Sequence, residues 1–228
     1  MGFYPRWICL CLLACTVFSF SGCGSTNKSR LNSVEVAQRA TALREEADIC
    51  LQRFISSQTE SEKGVDLEAL ICFVEKRKER ARLFPNAIDC PSCYARYGDA
   101  LRMLGVYYWT ESLSQTAAAK KAGAEQKATL VALSKKNREK ADLNFRMALQ
   151  QFSIHFSTRQ VIPGVYWKAF EAAYLLEEYN FALNYLKGYQ LNNTLNETES
   201  EKLRKWRERT KKRQEKKLRE EVRKDLDN

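Results

Sequence analysis

Apolar positions recur at helical spacing along nearly the whole chain beyond residue 30. Between Leu31 and Ser57 they fall at Val36, Ala40, Leu43, Ala47, Cys50, Leu51 and Phe54, which predicts one amphipathic helix. The polar stretch 56–64 ends it. Asp66 is placed to open a second helix, which runs through Leu70, Ile71, Phe73 and Val74 to Leu83 and stops at Phe84-Pro85-Asn86. The run Lys76-Arg77-Lys78-Glu79-Arg80 reads as the solvated face of that helix. Residues 31–84 are thus expected to form a helical hairpin. The chain holds only 4 Pro and 9 Gly, and its middle is dominated by good helix formers, so the expected fold class is all-α.

Two later stretches carry a more specific pattern. Tyr94, Tyr97, Gly98 and Leu101 are followed by Gly105 and Tyr107, and further on stand Ala141, Phe145, Ala148 and Leu149. This arrangement resembles the tetratricopeptide repeat (TPR). In that family, helix A carries a large aromatic, then an apolar residue and a glycine, and helix B carries alanine, an aromatic and alanine. The small residues let the two helices approach, and the large ones fill the neighbouring groove. A second match follows Pro163-Gly164. Trp167, Phe170 and Tyr174 stand for helix A, Glu178-Tyr179 for the turn, and Ala182, Leu186 and Tyr189 for helix B. Here Glu171 replaces the glycine of helix A. The resemblance implies a TPR-like α-solenoid of about three helical hairpins over residues 31–190, at about 31–84, 92–156 and 164–190. It covers two of these clearly and the first weakly. One departure stands out, since roughly 30 extra residues lie between Tyr107 and Ala141 beyond what a repeat of about 34 residues holds. Either both helices are extended, with a break near Gly123, or a small hairpin is inserted.

Residues 191–228 read as a linker and a basic C-terminal helix. From Glu201 onward there are 13 Lys/Arg and 7 Asp/Glu, so +6 of the chain's net charge of +10 belongs to this tail. Leu203 and Trp206 would dock its first part on the last repeat, and a solvated helix is expected beyond. Anionic headgroups or an acidic protein suit the tail better than nucleic acid, which is not an expected partner.

The N-terminus changes the setting. Arg6 precedes 14 uncharged residues, Trp7 to Phe20, too few for a membrane span of about 20 residues but suited to a signal peptide. Phe20-Ser21-Gly22-Cys23 is similar to the lipobox of bacterial lipoproteins, with Phe20 where leucine is usual. That resemblance implies removal of residues 1–22, lipid attachment at Cys23 and a flexible tether over 23–30. Gly24 in place of an acidic residue implies the outer membrane, facing the periplasm. Ordinary signal cleavage after Gly22 or Ser25, or an uncleaved anchor, are the alternatives.

Export gives the body cysteines Cys50, Cys72, Cys90 and Cys93 an oxidising compartment. Of three possible pairings, sequence locality favours Cys50 with Cys72 and Cys90 with Cys93, with free thiols at a helix start as the alternative for the last two. The Cys90-Pro91-Ser92-Cys93 motif lacks the preceding strand that a redox site of the thioredoxin type needs. His155 is the only histidine, so zinc would lack ligands, and no metal or other cofactor is expected. No catalytic constellation is visible, so the chain is not expected to be an enzyme. Candidate partner-binding residues are Tyr107, Tyr108, Trp109 and Trp167, which could line a groove or fill the core. The expected role is a protein–protein interaction scaffold at the cell envelope, serving assembly, secretion or pilus formation. The alternative is a ligand-binding module beside a solute-binding or transport system, in which the 107–141 extension closes over a pocket.

Overall fold

The computed structural model describes residues 33–59, 65–85, 91–158 and 160–226. The expectations for the signal peptide, the tether, Cys23 and Cys90 lie outside these. The described residues form seven helices and no strand: α1 (Ser33–Thr59), α2 (Leu67–Leu83), α3 (Pro91–Ala119), α4 (Ala124–Phe156), α5 (Gly164–Leu175), α6 (Tyr179–Leu191) and α7 (Glu197–Leu226). Each packs on its neighbour in sequence, and α3 also touches α5. The 107–141 extension is therefore two long helices joined at Ala119–Ala124, with Gly123 as the N-cap residue of α4.

α1 buries Ala40, Leu43, Ala47, Cys50 and Phe54, one stripe at helical spacing. At the turn that follows, Ser57 Oγ accepts from the Asp66 amide at 2.8 Å, and Asp66 Oδ1 caps α2 by accepting from the Ala69 amide at 2.9 Å. That amide, with the Arg53 guanidinium, holds the Asp66 carboxyl below the usual carboxylate range. A Cys50–Cys72 disulfide ties α1 to α2 across 22 residues.

The largest interface joins α3 and α4. Its geometry follows from residues at seven-residue spacing on α3. A Cβ added to Gly98 would lie 2.6 Å from the Phe152 ring, and one added to Gly105 would lie 2.6 Å from the Phe145 ring. Both phenyl groups are fully buried. One step further along, Ser112 meets Ser134 with hydroxyls 3.0 Å apart, and Ser134 Oγ also donates to the Ser112 carbonyl at 2.9 Å. Ala119 closes the series, buried near the tip. Glycine and serine in these places bring the two backbones together along the whole hairpin.

α5 lies in the crook of α3 and α4. Ala172 and Leu176 pack with Ala141 and Phe145, while Asp99 and Arg102 of α3 make ion pairs with Lys168 and Glu171. Glu171, the residue in the glycine position of the repeat pattern, also accepts from Trp167 Nε1 at 2.8 Å. It therefore joins α3 to α5 through polar contacts. The α5–α6 turn places Glu177 at φ 61°, with the Glu178 amide donating to the Ala173 carbonyl at 2.9 Å. α7 then docks by its first half, with Leu203 and Thr210 buried and Trp206 edge-on to Phe170 and Tyr174 at 5.5 Å each.

Two outcomes test this packing. Gly105→Ala gains up to about 1 kcal/mol of helix propensity yet drives a methyl into Phe145, and overpacking costs about 1–3 kcal/mol. Urea unfolding should show net destabilisation in the parent. In a Phe145→Ala background the same substitution should become stabilising. Glu177→Gly should raise stability by about 1 kcal/mol, the cost of a side chain in the left-handed region, as read from the thermal midpoint.

Candidate functional site

The four aromatic candidates do not gather at one place. Trp167 belongs to a separate cluster on α5, edge-on to Tyr189 at 5.5 Å and to Trp206 at 6.4 Å, with Lys202 Nζ 4.8 Å from its ring centre. It joins the last two helices to α5, which is the core-filling alternative, and shares no groove with Tyr107. Tyr166, its neighbour in sequence, stacks on Phe156 at 4.3 Å. Trp109 packs at the junction of α3, α4 and α5 beside Phe145 and Leu176. Tyr108 carries Lys140 Nζ 4.7 Å from its ring centre.

Tyr107 does reach a concave surface. It lines a groove of about 270 Å³ with Phe54, Ile55, Val65, Met103 and Val106, where α1 and the start of α2 meet α3. Ile55 and Val65 are exposed at its edge, and Glu111 stands at one end. Burial, reinforced by Glu111, pushes the Tyr107 phenol up from its ordinary value. The Tyr107 hydroxyl stands with Gln58, Thr110 and Glu111 as the polar part of the groove lining, which suits a peptide side chain with a polar end. The groove is open and does not close over a solute.

A second concavity was not legible in advance. The extended parts of α3 and α4 form a slot of about 760 Å³, lined by Leu113, Thr116, Val131 and Ser134 with Lys120, Lys127, Lys135 and Arg138 around it. Its signal is the recurrence of lysine at positions that share one face of α4.

The run 76–80 is not wholly solvated. Arg77 and Arg80 are 5% and 3% exposed. They sit on the same face as Phe73, Val74 and Ala81, so the register turns them inward and their aliphatic stems fill space. Arg80 Nε donates to the Ala40 carbonyl at 3.0 Å, and its Nη1 donates to Cys93 Sγ at 2.9 Å. Arg77 Nη2 donates to Asp48 at 2.6 Å, while its Nε and Nη1 have no partner. Burial pushes its guanidinium below its ordinary value, with Asp48 opposing. Cys93 is a buried free thiol, which corrects the expectation of a disulfide there: its sulfur faces a guanidinium in the α2–α3 core. His155 is fully buried and accepts from the Ile162 amide at 3.0 Å through Nε2, so it pins the loop after α4.

Among the described residues, no group of three His, Cys, Asp or Glu could hold a metal ion, and no helix is long and apolar enough to cross a membrane. No protein-family model matches the chain, and no curated protein or solved structure matches it.

The Arg77 site gives a clear outcome. Removing Asp48 leaves a buried guanidinium without its counter-charge, whereas removing Arg77 leaves only a half-exposed carboxylate that water can solvate. Arg77→Met should leave the urea midpoint unchanged or raise it. Asp48→Ala should lower stability by about 1–3 kcal/mol, less than for a fully buried pair because Asp48 is half exposed.

Proposed function

We propose that this chain is a lipid-anchored interaction scaffold of the cell envelope, built as a TPR-like array and holding a peptide or protein partner. The observation that carries this reading is the open groove at Tyr107, lined by Phe54, Ile55, Met103 and Val106 with Gln58, Thr110 and Glu111 as its polar members. An open groove with apolar walls and one polar end accepts side chains of a partner segment rather than enclosing a solute. The Gly98 and Gly105 contacts with Phe152 and Phe145 support the repeat reading, because they are the close packing that the motif encodes. Cys23, behind its lipobox-like stretch, would fix the domain to the membrane and leave the helices facing the periplasm. Binding, not catalysis, is then the activity, and no cofactor takes part.

Two measurements test this in the full-length chain in a bacterial host. Metabolic labelling with a fatty acid should mark the wild type, and Cys23→Ala should lose both label and membrane fractionation. Persistent membrane association of Cys23→Ala would sink the anchor. A photo-crosslinking amino acid at position 106 should trap a discrete partner in the envelope, and Tyr107→Ala with Ile55→Asp should abolish that product. Crosslinks that survive both changes would remove the groove from the function.

A further inference from the structure

The α3–α4 hairpin outgrows the rest of the fold. α5 covers α4 near Ala141 and Phe145 and bonds to Arg138, while the outer stretch from Ala124 to Lys140 bonds to α3 through Ser134 and Asn137. At 1.5 Å per residue this projecting part is about 25 Å long, room for a partner helix of three to four turns. One side of it holds the 760 Å³ slot. Leu113 and Val131 are 48% and 53% exposed at this slot, large apolar groups left in water on facing helices. Lys120, Lys127 and Lys135 surround them and make no ion pair among the described residues, although carboxylates elsewhere in the fold are widely paired. Arg138 stands at the inner end, engaged with Asp142 and the Leu175 carbonyl. The one acidic residue lining the slot is Glu139.

We propose that this slot is a docking site for an acidic amphipathic helix of a partner protein. Apolar residues on one face of such a helix would cover Leu113 and Val131. Carboxylates along its two flanks would meet the lysines. The charge pattern chooses this occupant. A second copy of the chain brings a net charge of +10 and is repelled by the same lysines. A bilayer presents a flat surface, whereas the apolar groups here lie in a slot between two helices. The inference rests on the scaffold reading but uses none of the Tyr107 groove, so the two can fail separately.

The test uses the full chain in detergent and a fluorescein-labelled synthetic helix of about four turns, with leucine at i, i+4 and i+7 and glutamate on both flanks. Anisotropy should show saturable binding that weakens with added salt. Lys127→Glu combined with Lys135→Glu should weaken it at least tenfold with helical circular dichroism unchanged. The same variant should gain binding of a probe whose glutamates are replaced by lysine. Tyr107→Ala should leave the affinity unchanged. Absence of binding, or equal affinity in the double variant, overturns the proposal. So does binding of phosphatidylglycerol vesicles that the double variant loses while the peptide goes unbound. Self-association in sedimentation that Val131→Glu abolishes would assign the slot to a second copy and also overturn it.

Discussion

The contact between two glycines of α3 and two phenyl rings of α4 sets the spacing of the whole molecule. With no Cβ at Gly98 and Gly105, Phe152 and Phe145 sit against backbone, and their rings become walls of two further clusters. Phe152 belongs to the core shared by α1, α2 and α3, and Phe145 to the pocket that receives Ala172 and Leu176 of α5. A larger residue at either glycine would push α4 outward and open both clusters at once. Buried glycine in a helix costs about 1 kcal/mol against alanine, so the close approach must return more than that in packing.

The same seam explains how the hairpin can outgrow its neighbours. Beyond Gly105 the seven-residue series continues with Ser112 and Ala119, and ring-on-backbone contact gives way to hydroxyl bonding among Ser112, Thr116 and Ser134. These groups satisfy one another, so the helices stay close without needing a third layer to bury apolar surface. A projecting pair held by a polar seam can leave its outer faces for other purposes, and here those faces carry lysine and isolated leucine and valine.

Much of this was legible because spacing alone encodes it. The cap at Asp66, the stop at Phe84-Pro85 and the break near Gly123 are local signals, and the structure places helix ends at each. What the sequence concealed depended on tertiary neighbours. Arg77 and Arg80 read as surface because they are charged, yet they continue the register of Phe73 and Val74. Trp167 stands with Trp109 among the groove-or-core candidates, and α6 and α7, many residues away, cover it with Tyr189 and Trp206. The Tyr107 groove needs Ile55 and Val65 from another hairpin, and no periodicity within α3 could announce them.

α7 shows how the array of helices ends. A last helix must bury one face and tolerate water on the other. In α7 the inward face runs through buried Leu203 and Thr210 and partly buried Trp206, and then apolar contact gives way to polar contact: Gln214 donates to Asn180 and Lys217 donates to the Glu177 carbonyl. Along the solvent face, Arg204 bridges Glu201 and Glu208 within the helix, and Arg204 with Lys205 holds the Glu201 carboxyl down at about 2. Such exposed pairs favour helix over coil without binding it to the body. At 30 residues α7 is more than twice the length of α6, which has 13, and its polar contacts with the body reach as far as Lys217. The tail is therefore a cap over most of its length, and the stretch from Leu218 to Leu226 balances three basic with three acidic residues. Its basicity is concentrated from Lys211 to Lys217, where five lysines and arginines stand with one glutamate around the polar contacts with the body.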